Sequence, residues 1–128
     1  MSNQRIVRAV IIPAEVDKPA SIEDIRADAA TLQRLVGGWI EAINGDDWTA
    51  FVNEEGKLNR LPINQAGNRI LGVLEWDAIG LDVVVGPLVI LGPADSNGGE
   101  TGITDAVLAK ILDWYRANGT VATHRESK

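Results

Sequence analysis

The sequence lacks several residues on which common catalytic and structural sites depend. It contains no cysteine, which excludes disulfide bonds, thiolate zinc sites and cysteine nucleophiles. Its one histidine, His124, lies near the C-terminal end, where it offers no Ser-His-Asp arrangement. Phosphate-binding loops of the G-x-x-x-x-G-K-[ST] and G-x-G-x-x-G types are also absent. The sequence therefore predicts no enzyme, no cofactor and no metal site.

Basic residues are scarce and unevenly distributed. Twelve bases against 18 acids give a formal net charge of −6. Residues 70–109 contain six acids and no base, and residues 35–56 contain five acids and no base. This balance argues against nucleic-acid binding through phosphate neutralisation. Two interpretations of the charge remain: an acidic surface that engages a basic partner, for instance by mimicking nucleic acid, or ordinary solubilising charge.

Long apolar runs are missing as well. The longest, Val83–Leu91, has nine residues with glycine and proline inside it, far short of the roughly 18 needed to span a bilayer. No signal-peptide pattern opens the chain. We expect a cytoplasmic protein with no membrane contact. A length of 128 residues suits a single domain, predicted over 1–119, with a flexible tail over 120–128.

Two helices and several strands are predicted from residue spacing. Arg5–Ile12 is rich in β-branched residues and predicts a strand that can be covered on both faces. Ser21–Val36 predicts a helix, because Ser21 and Asp24 fit a capping box and apolar residues recur every three or four positions. Thr104–Asn118 predicts a second helix, capped by Thr104.

Gly37-Gly38 leaves two continuations open. The apolar spacing could carry the helix onward, but two glycines would cost it roughly 2 kcal/mol relative to alanine. Asn44-Gly45 favours a hairpin instead, with strands at Trp39–Ile43 and Trp48–Val52 and with Ile43 facing Trp48.

Further along the chain, a short helix is predicted over Ile63–Leu71 after Pro62. Asp82–Leu91 predicts one or two strands interrupted at Gly86-Pro87, and Gly92–Gly102 predicts a loop. The predicted fold class is α/β (α+β): a mixed or antiparallel sheet of about four to five strands carries the two main helices on one face.

The four tryptophans differ in their surroundings. Trp39 and Trp114 fit the core, whereas Trp48 and Trp76 stand among acids in turn-like surroundings, where they are candidates for exposure. Exposed tryptophans are favoured anchors of binding surfaces. The predicted partner-binding set is therefore Trp48, Trp76, Asp46, Asp47, Glu75 and Asp77. The alternative for each tryptophan is half-burial at the edge of the core.

The central segment carries a recognisable pattern. Leu32-Gln33-Arg34-Leu35-Val36-Gly37-Gly38-Trp39-Ile40-Glu41 is followed by Asn53-Glu54-Glu55-Gly56-Lys57-Leu58, by Leu61-Pro62 with Asn64, and by Val85-Gly86-Pro87. This order resembles a domain-of-unknown-function family of small proteins from bacteriophages, especially those of actinobacteria, and from mobile elements. The resemblance covers about residues 5–93. It implies a compact α/β domain in the host bacterial cytoplasm and no established activity.

A second set of polar residues is harder to explain by backbone geometry. It consists of Gln33, Glu41, Asn53, Glu54, Arg60 and Asn64. These residues either form a structural network that fastens the turns together or line a small-ligand site. Asp95–Glu100 begins like a calcium loop but has Gly99 where an oxygen ligand is required.

Three functional hypotheses follow. The first is a non-enzymatic phage accessory protein that binds a host macromolecule, with a host protein as partner, in host takeover or defence evasion. The second is a protein that binds or sequesters a small ligand such as a nucleotide signal. The third, a carboxylate-dependent hydrolase, would depend on Glu41 or Glu54.

Overall fold

Strands and helices alternate irregularly along the chain. The computed structural model describes residues 5–118 and, for the backbone, 122–125. The elements in chain order are β1 (Ile6–Ile12), β2 (Ala20–Arg26), α1 (Ala29–Val36), β3 (Ile40–Asn44), β4 (Thr49–Asn53), α2 (Gln65–Val73), β5 (Leu88–Leu91), α3 (Asp105–Ala117) and β6 (Ala122–Arg125).

The strands form one sheet in the order β3-β4-β5-β1-β2-β6. The first five pair antiparallel, and β6 pairs parallel with β2. The predicted α+β class is confirmed, and of the two predicted sheet types, mixed or antiparallel, the sheet is mixed, with six strands where about four to five were expected. The predicted tail 120–128 lies mostly outside the described residues, apart from Ala122–Arg125, which form β6.

Both faces of the sheet are covered, so each central strand is buried on two sides. In β1, Val10 and Ile12 belong to one core and Val7 and Ala9 to the other. Side chains of α2 and α3 fill the first core, and side chains of α1 fill the second. The prediction that the main helices share one face is therefore wrong. The covering of β1 on both faces is as expected.

The predicted helix Ser21–Val36 is also wrong in its first half. Ala20–Arg26 is strand β2, which pairs with β1 from Ile6↔Arg26 to Ile11↔Ser21. Ile22 and Ile25 are three residues apart and reach opposite faces, because Ile22 lies in the α3-side core and Ile25 in the α1-side core. The apolar spacing that is typical of a helix occurs here in a strand, because both faces of β2 are buried.

The remaining helix, α1, begins at Asp28. Its carboxylate accepts hydrogen bonds from the Thr31 side chain and, at 2.7 Å, from the Thr31 backbone N–H, and these two bonds lower the pKa of Asp28. A carboxyl whose folded pKa is depressed stabilises the protein above its unfolded pKa of 3.8, and this contribution is lost as pH falls through the folded value. We expect wild type to lose stability relative to Asp28→Asn as pH drops below 4, measured by urea denaturation. A pH-independent difference would contradict this.

The loop after β5 and the helix α3 follow the predictions closely. Thr104 caps α3, accepting the N–H of Val107 at 3.2 Å. The loop 92–102 is closed by Asp95, whose Oδ1 accepts the N–H groups of Asn97 and Gly99. The bond from Gly99, together with the one from Asn97, lowers the pKa of Asp95, whose carboxylate thereby holds the loop closed. None of the described helices is both long and apolar enough to cross a bilayer.

Candidate functional site

The β3–β4 hairpin forms at the predicted position but in a different register. Gly45 donates its N–H to the carbonyl of Trp48 at 2.9 Å, and Ile43 lies opposite Ala50 rather than Trp48. A Cβ atom on Gly45 would lie 2.1 Å from the Trp48 ring. The indole therefore packs directly beneath the turn, at a distance that only glycine permits.

The tryptophans lie in the reverse of the expected places. Trp48 is 1% exposed and Trp76 is 8% exposed, both in the core on the α2 and α3 side. Trp48 Nε1 donates to the carbonyl of Leu74 at 3.1 Å, which satisfies its polar end. The predictions that Trp48 and Trp76 are exposed anchors and that Trp39 serves the core are wrong, because Trp39 is 64% exposed.

The four acids predicted beside those tryptophans do come together. Asp46, Asp47, Glu75 and Asp77 line one cleft of about 330 Å³, here called the hairpin cleft. Lys110 of α3 lines it as well. Glu75 has a left-handed backbone conformation (φ 64°), which is uncommon for a residue other than glycine. Trp76, the next residue, is buried, and the carboxylates of Glu75 and Asp77 on either side of it remain exposed in the cleft.

A second cleft of about 440 Å³ adjoins the first and shares Asn44, Trp76 and Asp77 with it. It lies beside the edge strand β3 and is called the edge cleft. Its charged lining comprises Glu41, Glu54, Lys57, Asp77 and Asp82. We refer to the two clefts together as the acidic surface.

Most carboxylates of the acidic surface form no ion pair with a base in the described part of the chain. Lys57 pairs with Asp82, and this hydrogen bond, with one from the Val83 N–H, lowers the pKa of Asp82. The ion pairs found among residues 5–118 involve none of Glu41, Asp46, Asp47, Glu54, Glu75 and Asp77. Lys110 lines the hairpin cleft and takes part in none of these ion pairs within the same range. Six unpaired carboxylates near this one lysine make the acidic surface strongly anionic.

The second set of predicted residues does not converge. Glu41, Asn53 and Glu54 line the edge cleft, whereas Gln33, Arg60 and Asn64 do not. The amide of Asn53 is already occupied by the backbone: its Nδ2 donates a hydrogen bond to the Val36 carbonyl at 3.3 Å, and its Oδ1 accepts one from the Glu55 N–H at 2.8 Å. Its amide thereby joins the end of α1 to the turn after β4.

Asn64 is fully buried at the start of α2. Its Nδ2 donates to the carbonyls of Ile12 at 2.8 Å and Gly86 at 2.9 Å, and its Oδ1 accepts the Gly67 N–H at 2.8 Å. Both asparagines therefore have the structural role that one interpretation gave them. Gln33 and Glu41 make no side-chain hydrogen bond to another residue within 5–118, so the six residues do not form one network.

Some residues of the acidic surface were missed by the sequence reasoning. The Lys57–Asp82 pair joins segments 25 residues apart in the chain, and no local pattern signals it. The exposure of Trp39, which lies outside the acidic surface, was missed as well, because this residue was assigned to the core. Within the described part of the chain, no three acidic or histidine side chains are placed to hold a metal ion.

Comparison with known proteins identifies a family and nothing closer. No curated protein and no solved structure matches the chain significantly. A family model matches residues 7–116, which extends past the motif-bearing segment 5–93 through the loop 92–102 and into α3. Because this match covers most of the sequence, the chain belongs to the family described as Domain of unknown function (DUF3846).

Proposed function

We propose that the chain is a non-enzymatic accessory protein that binds a basic region of a protein partner through its acidic surface. The observation that carries the proposal is the convergence of carboxylates from separate segments. Asp46 and Asp47 come from the β3–β4 turn, and Glu75 and Asp77 follow α2, yet all four line the hairpin cleft. Clustering of like charge costs stability through repulsion, which favours a binding role over general solubility.

The charge selects the class of partner. An anionic surface repels nucleic acid and attracts lysine- and arginine-rich protein surfaces, accelerating encounter at low ionic strength. Many basic protein surfaces exist to bind nucleic acid, so such a surface can compete for them. The resemblance to bacteriophage proteins extends the proposal to a host protein in the bacterial cytoplasm, bound during host takeover or defence evasion.

The small-ligand alternative has less support. Two of its polar residues, Asn53 and Asn64, use their amide groups to bind backbone. Only part of its set lines a common cleft. A hydrolase based on Glu41 or Glu54 is likewise unsupported, because both carboxylates are exposed to solvent.

The proposal is tested by quantitative affinity capture from bacterial lysate with wild type and Asp46→Asn/Asp47→Asn. Asparagine keeps the turn preference of aspartate, so the fold is retained while two charges are removed. We expect recovery of a defined set of basic proteins whose affinity for the variant falls about tenfold, the scale of two exposed charge pairs.

Glu15→Gln/Asp17→Asn is the matched control, since it removes the same charge from the exposed β1–β2 connector. The proposal predicts that this control recovers the same proteins as wild type. Equal recovery by all three proteins, or equal losses in both variants, would show that the acidic surface is not the binding site.

A further inference from the structure

The strand β3 has a free edge with a defined set of backbone groups. Among the described strands it is the first in the sheet order, and β4 is its one neighbour there. Gly45 donates to Trp48 and Glu54 donates to Trp39, so the odd-numbered positions of β3 bond to β4. Because antiparallel pairs alternate, the N–H and C=O groups of Ile40, Ala42 and Asn44 point away from the sheet.

This edge has little of the usual protection, and its one charged residue is Glu41. Within residues 5–118, no other backbone or side-chain group bonds the main chain at Ile40, Ala42 or Asn44. The strand contains no proline and no lysine, and its register with β4 is continuous, without a bulge. Free edges of this kind readily accept a further strand.

The chemistry beside the edge specifies what that strand is. Glu41 lies opposite Val52, whose side chain belongs to the α2-side core, so Glu41 and Ile43 share the face of the edge cleft. Glu54 and Asp77 line the same cleft. Trp39, just before β3, exposes an indole on which a cationic side chain can stack.

Building on the proposed function, we propose that β3 accepts an extended lysine- or arginine-rich segment of the partner as a seventh strand. Main-chain hydrogen bonds to Ile40, Ala42 and Asn44 hold the segment, and its basic side chains on the cleft face meet Glu41. A second copy of this chain is disfavoured as occupant, because pairing two β3 edges would bring two anionic surfaces together.

Synthetic peptides test the strand pairing separately from the charge. The probe is a short acetylated and amidated peptide that alternates lysine with threonine or valine. One matched peptide carries N-methyl groups on alternate backbone amides at unchanged charge, and another has glutamate for lysine. We expect the first peptide to bind and both others to bind at least about tenfold more weakly, through lost hydrogen bonds or repulsion.

Amide exchange and one protein variant locate the bound strand. We expect the lysine peptide to slow hydrogen exchange at the amides of Ile40, Ala42 and Asn44, with no change at Glu41. Ala42→Pro removes the central outward donor at a position where an edge strand tolerates proline, and should weaken binding about tenfold. Thermal unfolding checks that this variant is folded.

Equal binding of the N-methylated and unmodified peptides would overturn the strand proposal. A failure of the lysine peptide to bind would also overturn it, and so would dimerisation of the protein through β3, detected by sedimentation. None of these results decides the proposed function, because the lysate capture tests charge at Asp46 and Asp47 without reference to the edge. Loss of the captured proteins in Asp46→Asn/Asp47→Asn but not in Ala42→Pro would retain the acidic surface and reject the added strand.

Discussion

Replacement of Trp48 by alanine is expected to lower the free energy of unfolding by about 3–5 kcal/mol, the usual cost of deleting a large buried aromatic side chain. The indole is 1% exposed, so the substitution leaves a cavity beneath the hairpin. It also removes the hydrogen bond from Nε1 to the Leu74 carbonyl and leaves that oxygen unpaired. Urea denaturation followed by far-ultraviolet circular dichroism measures the change.

Trp39→Ala is the matched control, because it deletes the same side chain from a position that is 64% exposed. We expect its free energy of unfolding to stay within about 0.5 kcal/mol of wild type. The contrast tests the reversal of the two tryptophans directly. Similar losses in both variants, or a larger loss at Trp39, would contradict the placement of Trp48 in the core.

This reversal shows where local sequence context fails. Because Asp46-Asp47 precedes Trp48, the sequence suggested a solvent-exposed position for the tryptophan. The two acids form the turn and project outward, whereas Trp48 directly precedes β4 and is buried. Residues adjacent in a hairpin point to opposite sides. Polarity of neighbours therefore predicts the turn correctly and says little about the side chain beside it.

The assignment of Ser21–Val36 failed for a related reason. Apolar residues three and four positions apart indicate a helix only if a single face is buried. In β2, Ile22 and Ile25 pack into two separate cores on opposite faces of the sheet. The hydrogen bonds between β2 and β1 outweigh the helix-capping pattern that begins at Ser21. By contrast, the extent of α3 and the position of the β3–β4 hairpin, though not its register, were predicted correctly, because the Thr104 cap and the Asn44-Gly45 turn depend on residues close by in the sequence.

The acidic surface was predicted in part. Its acids in the turn and after α2 could be proposed from charge runs, since each run is continuous in the sequence. That the runs meet in one cleft depends on long-range packing, in which Trp48 and Trp76 hold the hairpin against the end of α2. The free edge of β3 likewise follows from strand order, which the sequence alone did not reveal.

Asn64→Ala is expected to destabilise the protein by about 3–5 kcal/mol, because each buried group left without a partner costs roughly 1–3 kcal/mol. The substitution removes two donated bonds, to the carbonyls of Ile12 and Gly86, and one accepted from the Gly67 N–H. Asn59→Ala, at an exposed position of the preceding turn, is the matched control and should change stability by less than about 0.5 kcal/mol.

Asn64→Asp separates the lost donors from the lost volume. The aspartate keeps the acceptor for Gly67 but turns a carboxyl oxygen towards the Ile12 and Gly86 carbonyls in a fully buried place, which raises its folded pKa. A carboxyl whose folded pKa is raised contributes stability below its unfolded pKa and loses it as pH rises through the folded value. We therefore expect Asn64→Asp to be closer to wild type at pH about 4 than at pH about 8. Equal destabilisation at both pH values would mean that the amide donors of Asn64 do not hold β1 and the segment before β5 together.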